Sequence, residues 1–226
     1  MRAQVRLGAI ALTCLLAGCG DAGGDLNAAA ANQAAPLAQI PAPGNGDWSE
    51  IVTRTPEGGA LMGNPNAPVK LIEYGSMTCP GCKAFSAEAT APLRDTYIRS
   101  GQVSWEYRSF LRNAPDVALS LLIDCQPPAA YFRTLEQLFA QQSELLGAID
   151  ESEGQRIGAM PPEQQVPALA RAMELDTFFA RRGMPEARFN QCLTTQAAQQ
   201  LTELRDRYVR DYQIDATPTF FINGRR

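Results

Sequence analysis

Short apolar runs, bounded by glycine, proline and asparagine, predict β-strands near both ends of the folded part of the chain. The runs lie at residues 51–53, 69–74 and 103–107, and a fourth lies at residues 219–222. Each run is short and has turn residues beside it, as is typical of strands within a sheet.

Apolar residues at helical spacing fill the long stretch between the third and fourth runs. They recur across residues 115–212, where proline pairs and a Gly-Met-Pro sequence separate the segments. Another helix is predicted at residues 83–100, and Pro92 should kink it because proline cannot complete the helical hydrogen-bond ladder. The pattern indicates an α/β protein whose strands flank a long helical segment.

Two cysteines lie where the strand at residues 69–74 meets the helix that follows it. They belong to the sequence Cys79-Pro80-Gly81-Cys82, in which Pro80 suits the first position of a helix. Free N–H groups and the helix dipole favour a thiolate at Cys79, and the thiolate is the attacking species in disulfide exchange. Cys82, one turn later, would resolve a mixed disulfide. Half of a zinc site and an inert structural disulfide are the alternatives.

The composition excludes several other kinds of chemistry. The chain has no histidine, which rules out Ser-His and Cys-His catalysis and leaves any metal site to Cys, Asp and Glu. Its formal net charge is −4, and its basic residues are scattered among acidic ones, so no nucleic-acid-binding face is expected. We therefore expect no metal, no cofactor and no nucleic-acid partner.

The N-terminal residues have the pattern of a targeting segment. Arg2 and Arg6 precede an apolar run that is too short for a permanent membrane span. The run ends in Leu-Ala-Gly-Cys19, which resembles the lipobox of bacterial lipoproteins. This resemblance implies that residues 1–18 are removed and that lipid on Cys19 anchors the protein in the bacterial envelope. Residues 19–47 are small and polar and are expected to form a flexible tether. An ordinary signal peptide is the alternative.

A second proline motif completes the resemblance to a known family. Residues 216–224 read Ala-Thr-Pro-Thr-Phe-Phe-Ile-Asn-Gly, and a proline at the mouth of an apolar strand is unusual. Together with the Cys-Pro-x-Cys motif and the helical segment, this motif resembles the DsbA-like branch of the thioredoxin superfamily. The resemblance implies a thioredoxin-like fold in two parts, residues 48–114 and 213–226, interrupted by a helical domain at residues 115–212.

The same resemblance implies roles for three further residues. Pro218 is expected to form a cis peptide bond facing the cysteines and to shield the thiols, while Thr217 offers backbone groups to a client strand. A trans proline that starts an ordinary strand is the alternative. Glu73 interrupts an apolar run six residues before Cys79. If buried, its carboxyl would relay a proton to or from the resolving thiol; the alternative is a solvent-facing strand residue.

Cys125 and Cys192 both lie in the helical segment. An oxidising envelope favours their pairing, so we expect a structural disulfide between them. Buried free thiols and a second redox pair remain alternatives, because sequence does not give the distance between the two residues.

Two features depart from the family pattern. Gly81 stands where the family's oxidases commonly have histidine, so the pKa of Cys79 is expected to be less depressed than in such a relative. Asn223-Gly224 is a hairpin signal, yet only two residues follow it. The expected fold therefore lacks the last strand and helix of the family, which would leave residues 219–222 without a neighbouring strand.

The favoured hypothesis is an envelope thiol oxidase that donates the Cys79–Cys82 disulfide to secreted client proteins. By resemblance, a membrane quinone-linked partner like DsbB would reoxidise the pair. The first alternative is a disulfide reductase or isomerase, which a membrane reductant would keep reduced. The second is a non-catalytic lipoprotein that holds clients in its groove.

Overall fold

A five-stranded mixed sheet lies at the centre of the protein, whose computed structural model describes residues 38–226. The strand order is β1-β2-β4-β3-β5; β3 and β4 are parallel, and the other neighbours are antiparallel. The strands are β1 (Val52–Arg54), β2 (Ala60–Gly63), β3 (Val69–Gly75), β4 (Val103–Ser109) and β5 (Thr219–Ile222).

Four of these strands correspond to the predicted runs, with the first shifted by one residue. The strand β2 was not predicted, because Ala-Leu-Met-Gly is short and has no β-branched or aromatic residue. In the structure β2 pairs with both β1 and β4, so it connects the first strand to the rest of the sheet.

The helix between β3 and β4 changes its hydrogen-bond register at Pro92. It begins as α1 (Pro80–Pro92) and continues as a π-helical turn over Leu93–Ile98. Proline has no N–H to donate to the preceding turn, which explains why the irregularity starts there. The sequence predicts a kink at Pro92; the structure shows a change from α-helical to π-helical hydrogen bonding there, and the chain remains helical beyond it.

Eight α-helices lie between β4 and β5 in the described chain. Side chains accept hydrogen bonds at the starts of three of them; for example, Asn113 Oδ1 accepts from the N–H of Asp116 at 3.1 Å. The helices are α2 (Ala114–Asp124), α3 (Tyr131–Ala140), α4 (Gln142–Gly147), α5 (Glu151–Gly158), α6 (Pro162–Ala172), α7 (Leu175–Ala180), α8 (Glu186–Cys192) and α9 (Thr195–Tyr212).

The sheet and the helical insertion share one hydrophobic core. Trp105 of β4 packs against Phe132 of α3 with ring centroids 4.7 Å apart, and the same buried cluster includes Cys79 and Cys82. Burying each large apolar side chain contributes roughly 1.5–3 kcal/mol. The cysteine pair therefore lies at a junction that both parts of the protein stabilise.

A smaller cluster covers the opposite face of the sheet. Tyr74 of β3 packs edge-on against Tyr208 of α9, with centroids 4.9 Å apart. Beside them, Arg108 donates to both carboxylate oxygens of Glu106 at 2.8 and 3.0 Å, and to Tyr74 Oη at 2.8 Å. Arg108 and Glu106 are both buried, so each supplies the partner that the other needs away from water.

The described chain makes contacts with the fold well before residue 48, where the folded part was expected to begin. Ile40 N–H donates to the carbonyl of Ser100 at 2.8 Å, and Trp48 Nε1 donates to the carbonyl of Ile40 at 2.8 Å. The C-terminal part of the expected tether at residues 19–47 is therefore attached to the fold, since its backbone finds hydrogen-bond partners there. Residues 1–18, Cys19 and the rest of the tether up to residue 37 lie outside the described residues.

The expected turn after β5 is present. Asn223 and Gly224 both have positive φ, 49° and 79°, as a two-residue hairpin turn requires. Ile222 N–H donates to the carbonyl of Arg225 at 2.8 Å, which begins a hairpin on the outer edge of β5. The inner edge of β5 pairs with β3, so the strand does have one neighbour.

Candidate active site

Cys79 lies at the N-terminal end of α1. Its backbone is extended (φ −85°, ψ 124°), Pro80 occupies the first helical position, and Lys83 N–H donates to the carbonyl of Cys79 at 3.1 Å. Only 5% of Cys79 is exposed, but the next two residues, Pro80 and Gly81, are exposed. Cys79 is therefore almost covered, while the two residues that follow it at the start of the helix lie at the surface.

Several donors around the Cys79 sulfur favour its charged form. Burial raises the pKa of Cys79, but the Thr217 side chain and the backbone N–H groups of Cys82 and Gly81 lower it by more, so the net pKa falls below the ordinary thiol value. The uncharged thiol donates to the Thr217 carbonyl at 3.2 Å. The buried Thr217 hydroxyl has no other hydrogen-bond partner within the described residues, which leaves it free to turn toward a thiolate.

Cys82 has the opposite environment. Its side chain is completely buried, and Ser76 N–H lies 3.4 Å from its sulfur. Burial raises the pKa of Cys82 well above the ordinary thiol value, and Glu73 and Cys79 raise it further. One thiol of the pair is therefore prepared to ionise, while the other is held protonated.

The peptide bond between Thr217 and Pro218 is cis, and Pro218 faces the cysteine motif. A Cβ atom placed on Gly81 would lie 3.1 Å from Pro218 Cδ and 3.7 Å from Cys79 Sγ. The absence of a side chain at Gly81 thus permits the close approach of Pro218. This arrangement places Cys79, Thr217 and Pro218 around one surface point.

Glu73 is buried on the same side of β3 as the cysteines, with 1% of its surface exposed. Neither carboxylate oxygen has a hydrogen-bond partner in the described chain, and the polar atoms of neighbouring Trp105 and Tyr107 are likewise unpaired. Burial raises the pKa of Glu73 to about 8, because it outweighs the lowering effect of the nearby Trp105 indole N–H, and charge on Cys79 raises the pKa further. A carboxyl with this pKa can gain or lose a proton near neutral pH.

A glycine makes room for this arrangement of Glu73 and Tyr107. A Cβ atom on Gly75 would lie 2.4 Å from Tyr107 Cε2 and 2.9 Å from Glu73 Oε1. Since no side chain fits there, Gly75 allows the Tyr107 ring to lie beside the Glu73 carboxyl.

Sequence reasoning missed two residues that hold the backbone before Cys79. The Asp116 carboxylate accepts hydrogen bonds from Ser76 and Thr78, and Gln142 Nε2 donates to the carbonyl of Cys79 at 3.0 Å. Both come from the helical insertion, at chain positions far from the cysteine motif. The sequence carries no spacing signal for such contacts, because they depend on how the helices pack.

Cys125 and Cys192 form a disulfide in the structure, with Cα atoms 6.1 Å apart. The bond joins the end of α2 to the end of α8, so it ties together the helical insertion. Within residues 38–226, no group of three His, Cys, Asp or Glu residues is arranged to hold a metal ion. No helix in that range combines the length and apolar character needed to cross a membrane.

These features define a class of protein, one with a DsbA-like thioredoxin fold and a helical insertion. In this class a Cys-x-x-Cys motif at the start of a helix faces a cis-proline. The chain belongs to the family whose sequence model is described as Thioredoxin, which matches residues 55–226.

Known proteins resemble this chain over most of its length. A solved protein-disulfide isomerase from Novosphingobium aromaticivorans is 29% identical, with a TM-score of 0.68 over 73% of this chain and 86% of that chain. Wolbachia pipientis alpha-DsbA1 shares the fold at 21% identity, with a TM-score of 0.60 over 77% and 79% of the two chains.

The Rickettsia relatives of this chain are longer than it is. A Rickettsia felis protein, provisionally named a protein-disulfide oxidoreductase, is 21% identical over 186 residues. The match covers 77% of this chain but only 56% of that protein, so the chain spans little more than half of the relative's length.

Proposed function

We propose that this protein is a thiol:disulfide oxidoreductase of the bacterial envelope that acts as an oxidase of secreted client proteins. The observation that carries the proposal is the contrast between the two thiols: the pKa of Cys79 is lowered and that of Cys82 is raised. Stabilising the Cys79 thiolate stabilises the reduced protein, and a stabilised reduced form makes the corresponding disulfide a stronger oxidant.

The reaction transfers two electrons from the client to the protein. A client thiolate attacks Cys79 Sγ of the Cys79–Cys82 disulfide, and the bond between the two protein sulfurs breaks. Cys82 leaves with the electron pair and takes up a proton, while the client sulfur is now bonded to Cys79. A second client thiolate then attacks the first client sulfur, which releases the Cys79 thiolate and leaves the client with a disulfide.

Glu73 is the group suited to supply the proton to Cys82. It is buried near that sulfur, and its pKa of about 8 means that it holds a proton at neutral pH and can release it. In the reverse direction, when the pair is reoxidised, the ionised carboxyl accepts the proton of Cys82. Reoxidation is assigned to a quinone-linked membrane partner like DsbB.

The client is held next to Cys79 by the segment that contains the cis-proline. Backbone groups of Thr217 lie against the sulfur, as the 3.2 Å contact with the Thr217 carbonyl indicates, and are suited to pair with an extended client strand. Pro218 packs over Gly81 and shields the thiols on that side. Lipid on Cys19, after removal of residues 1–18, would anchor this site at a membrane surface facing the periplasm.

Trapping a mixed disulfide tests whether Cys79 is the sulfur that bonds to client proteins. A Cys82→Ser variant has no Cys79–Cys82 disulfide to donate, but its Cys79 thiolate can still attack a client disulfide, and no Cys82 thiol is present to displace the bound client. It should therefore accumulate covalent adducts with envelope proteins through Cys79, visible as reducible bands on a non-reducing gel. A Cys79→Ser variant is the matched control and should give none. Equal adducts in both variants, or none in either, would refute the proposed role of Cys79.

A reductase or isomerase is the second candidate function. The supporting observation is that the solved relative at 29% identity is named a protein-disulfide isomerase. The direction is tested by measuring the redox potential of the pair against glutathione and trapping its state in cells with acid and a thiol reagent. A mostly oxidised pair supports the oxidase, and a mostly reduced pair supports the second candidate.

A further inference from the structure

The backbone that leads into Cys79 is held from two sides by the helical insertion. We call residues 76–79 the active-site loop; it connects the end of β3 to the first turn of α1. Asp116, in the first turn of α2, contacts the loop on one side, and Gln142, the first residue of α4, contacts it on the other.

The Asp116 carboxylate is almost fully buried and is surrounded by donors. Ser76 Oγ lies 2.8 Å from Oδ2, Thr78 N–H lies 3.1 Å from Oδ1, and Thr78 Oγ1 lies 3.1 Å from Oδ2. The N–H of Arg112 donates to Oδ2 at 3.0 Å. Hydrogen bonds to a charged acceptor are about twice as strong as neutral ones, so this carboxylate fixes residues 76–78 firmly.

Gln142 holds the catalytic residue itself. Its buried Nε2 donates to the carbonyl of Met77 at 2.9 Å and to the carbonyl of Cys79 at 3.0 Å. The Cys79 carbonyl also accepts the first hydrogen bond of α1, from Lys83 N–H. One oxygen atom thus joins the start of the catalytic helix to the helical insertion.

We propose that Asp116 and Gln142 are positioning residues through which the helical insertion sets the reactivity of Cys79. The proposal rests on the redox function proposed above and adds to it a means of control. The Cys79 sulfur gains its stabilising N–H groups, those of Gly81 and Cys82, only while Cys79 stays at the helix start. Asp116 and Gln142 hold the residues that fix this position.

The first test removes the two amide hydrogen bonds without changing any charge. Gln142→Met keeps the length of the side chain and loses both donors. We expect alkylation of Cys79 in the reduced protein to slow about threefold below its pKa, because the rate follows the thiolate fraction, and the midpoint of the pH profile to rise. The rate at high pH, where the thiol is fully ionised, should match that of the wild type. Gln141→Met is the matched control, because the Gln141 side chain makes no hydrogen bond to the active-site loop.

The second test separates position from charge. Asp116→Asn replaces one carboxylate oxygen with an NH₂ group. That group faces the N–H of Arg112 if it takes the place of Oδ2 and the N–H of Thr78 if it takes the place of Oδ1, so in either orientation two donors oppose each other and the loop is held less firmly. Removing the negative charge of Asp116 alone would lower the midpoint of the pH profile of Cys79 alkylation. A shift of Cys79 away from the helix start would raise that midpoint. We expect a rise. Asp124→Asn, at the other end of the same helix, is the control and should leave the midpoint unchanged.

The outcomes distinguish this proposal from the function on which it rests. If wild-type Cys79 shows no ionisation below the ordinary thiol range, the proposed function fails whatever the variants do. If wild-type Cys79 ionises readily but the alkylation profiles of Gln142→Met and Asp116→Asn have the same midpoint as that of the wild type, the positioning role is refuted and the function stands. Circular dichroism establishes that each variant folds; should Asp116→Asn fail to fold, Gln142→Met decides the matter.

Discussion

Replacing Glu73 with glutamine should change how the stability of the protein depends on pH. Glu73 is 1% exposed and has a pKa of about 8, because burial disfavours its charge by more than the nearby Trp105 indole N–H favours it. In the unfolded chain the same carboxyl has its ordinary pKa of 4.5. The folded protein therefore binds this proton more tightly than the unfolded chain does.

The sign and size of the effect follow from this difference. A group with a raised folded-state pKa contributes its full stability below pH 4.5 and loses it as pH rises toward 8. Between pH 4.5 and pH 7, at about 1.36 kcal/mol per pH unit, the wild type should lose roughly 3 kcal/mol through Glu73 alone. Glutamine does not ionise, so Glu73→Gln should lose none of this stability between the two pH values. Any cost of burying the amide is the same at every pH.

Urea unfolding of the reduced proteins measures this difference directly. The free energy of unfolding of Glu73→Gln, relative to wild type, should rise by roughly 3 kcal/mol from pH 4.5 to pH 7. Glu88→Gln, an exposed substitution on α1, is the matched control and should follow the wild type. A difference between Glu73→Gln and wild type that stays constant with pH would refute the inference that Glu73 is protonated in the folded protein.

Three further predictions concern other parts of the structure. Replacing both Cys125 and Cys192 with alanine opens a loop of 67 residues and should lower the free energy of unfolding by about 4 kcal/mol in chemical denaturation; a loss near zero would contradict a stabilising role. Arg108→Met leaves the buried Glu106 carboxylate without its partner and should lower the free energy of unfolding by about 3–5 kcal/mol. Adding Glu106→Gln, which removes the charge, should restore most of this loss in thermal unfolding. Gly81→His should add a polar group that can carry positive charge beside Cys79, lower the pKa of Cys79 and make the pair more oxidising against glutathione; an unchanged potential would count against the reasoning. The new Cβ would lie 3.1 Å from Pro218 Cδ, so Pro218 has to shift by a few tenths of an ångström to admit it.

Much of the fold could be predicted from local pattern. The apolar runs at residues 69–74 and 103–107 became β3 and β4, and the helical spacing across residues 115–212 became the eight-helix insertion. The strand β2 was not predicted, because its residues form a strand only by pairing with β1 and β4. The attachment of residues 38–47 was missed for a similar reason: its contacts, such as that of Ile40 with Ser100, join distant parts of the chain.

For the candidate site, sequence indicated the reacting groups but not what holds them. Cys79 and Cys82 were evident because strand, motif and helix are contiguous, and Glu73 because it interrupts an apolar strand. Asp116 and Gln142 were not, because an acid or an amide in the first turn of a helix resembles an ordinary surface residue. Their roles depend on tertiary packing, which brings α2 and α4 to the active-site loop.

Limited alkylation of the reduced protein tests the central claim most directly. With less than one equivalent of iodoacetamide near neutral pH, peptide mass spectrometry should find the label on Cys79 and not on Cys82, since only the first thiol is held in a place that favours ionisation. Label chiefly on Cys82, or on neither cysteine until the protein is unfolded, would contradict the account.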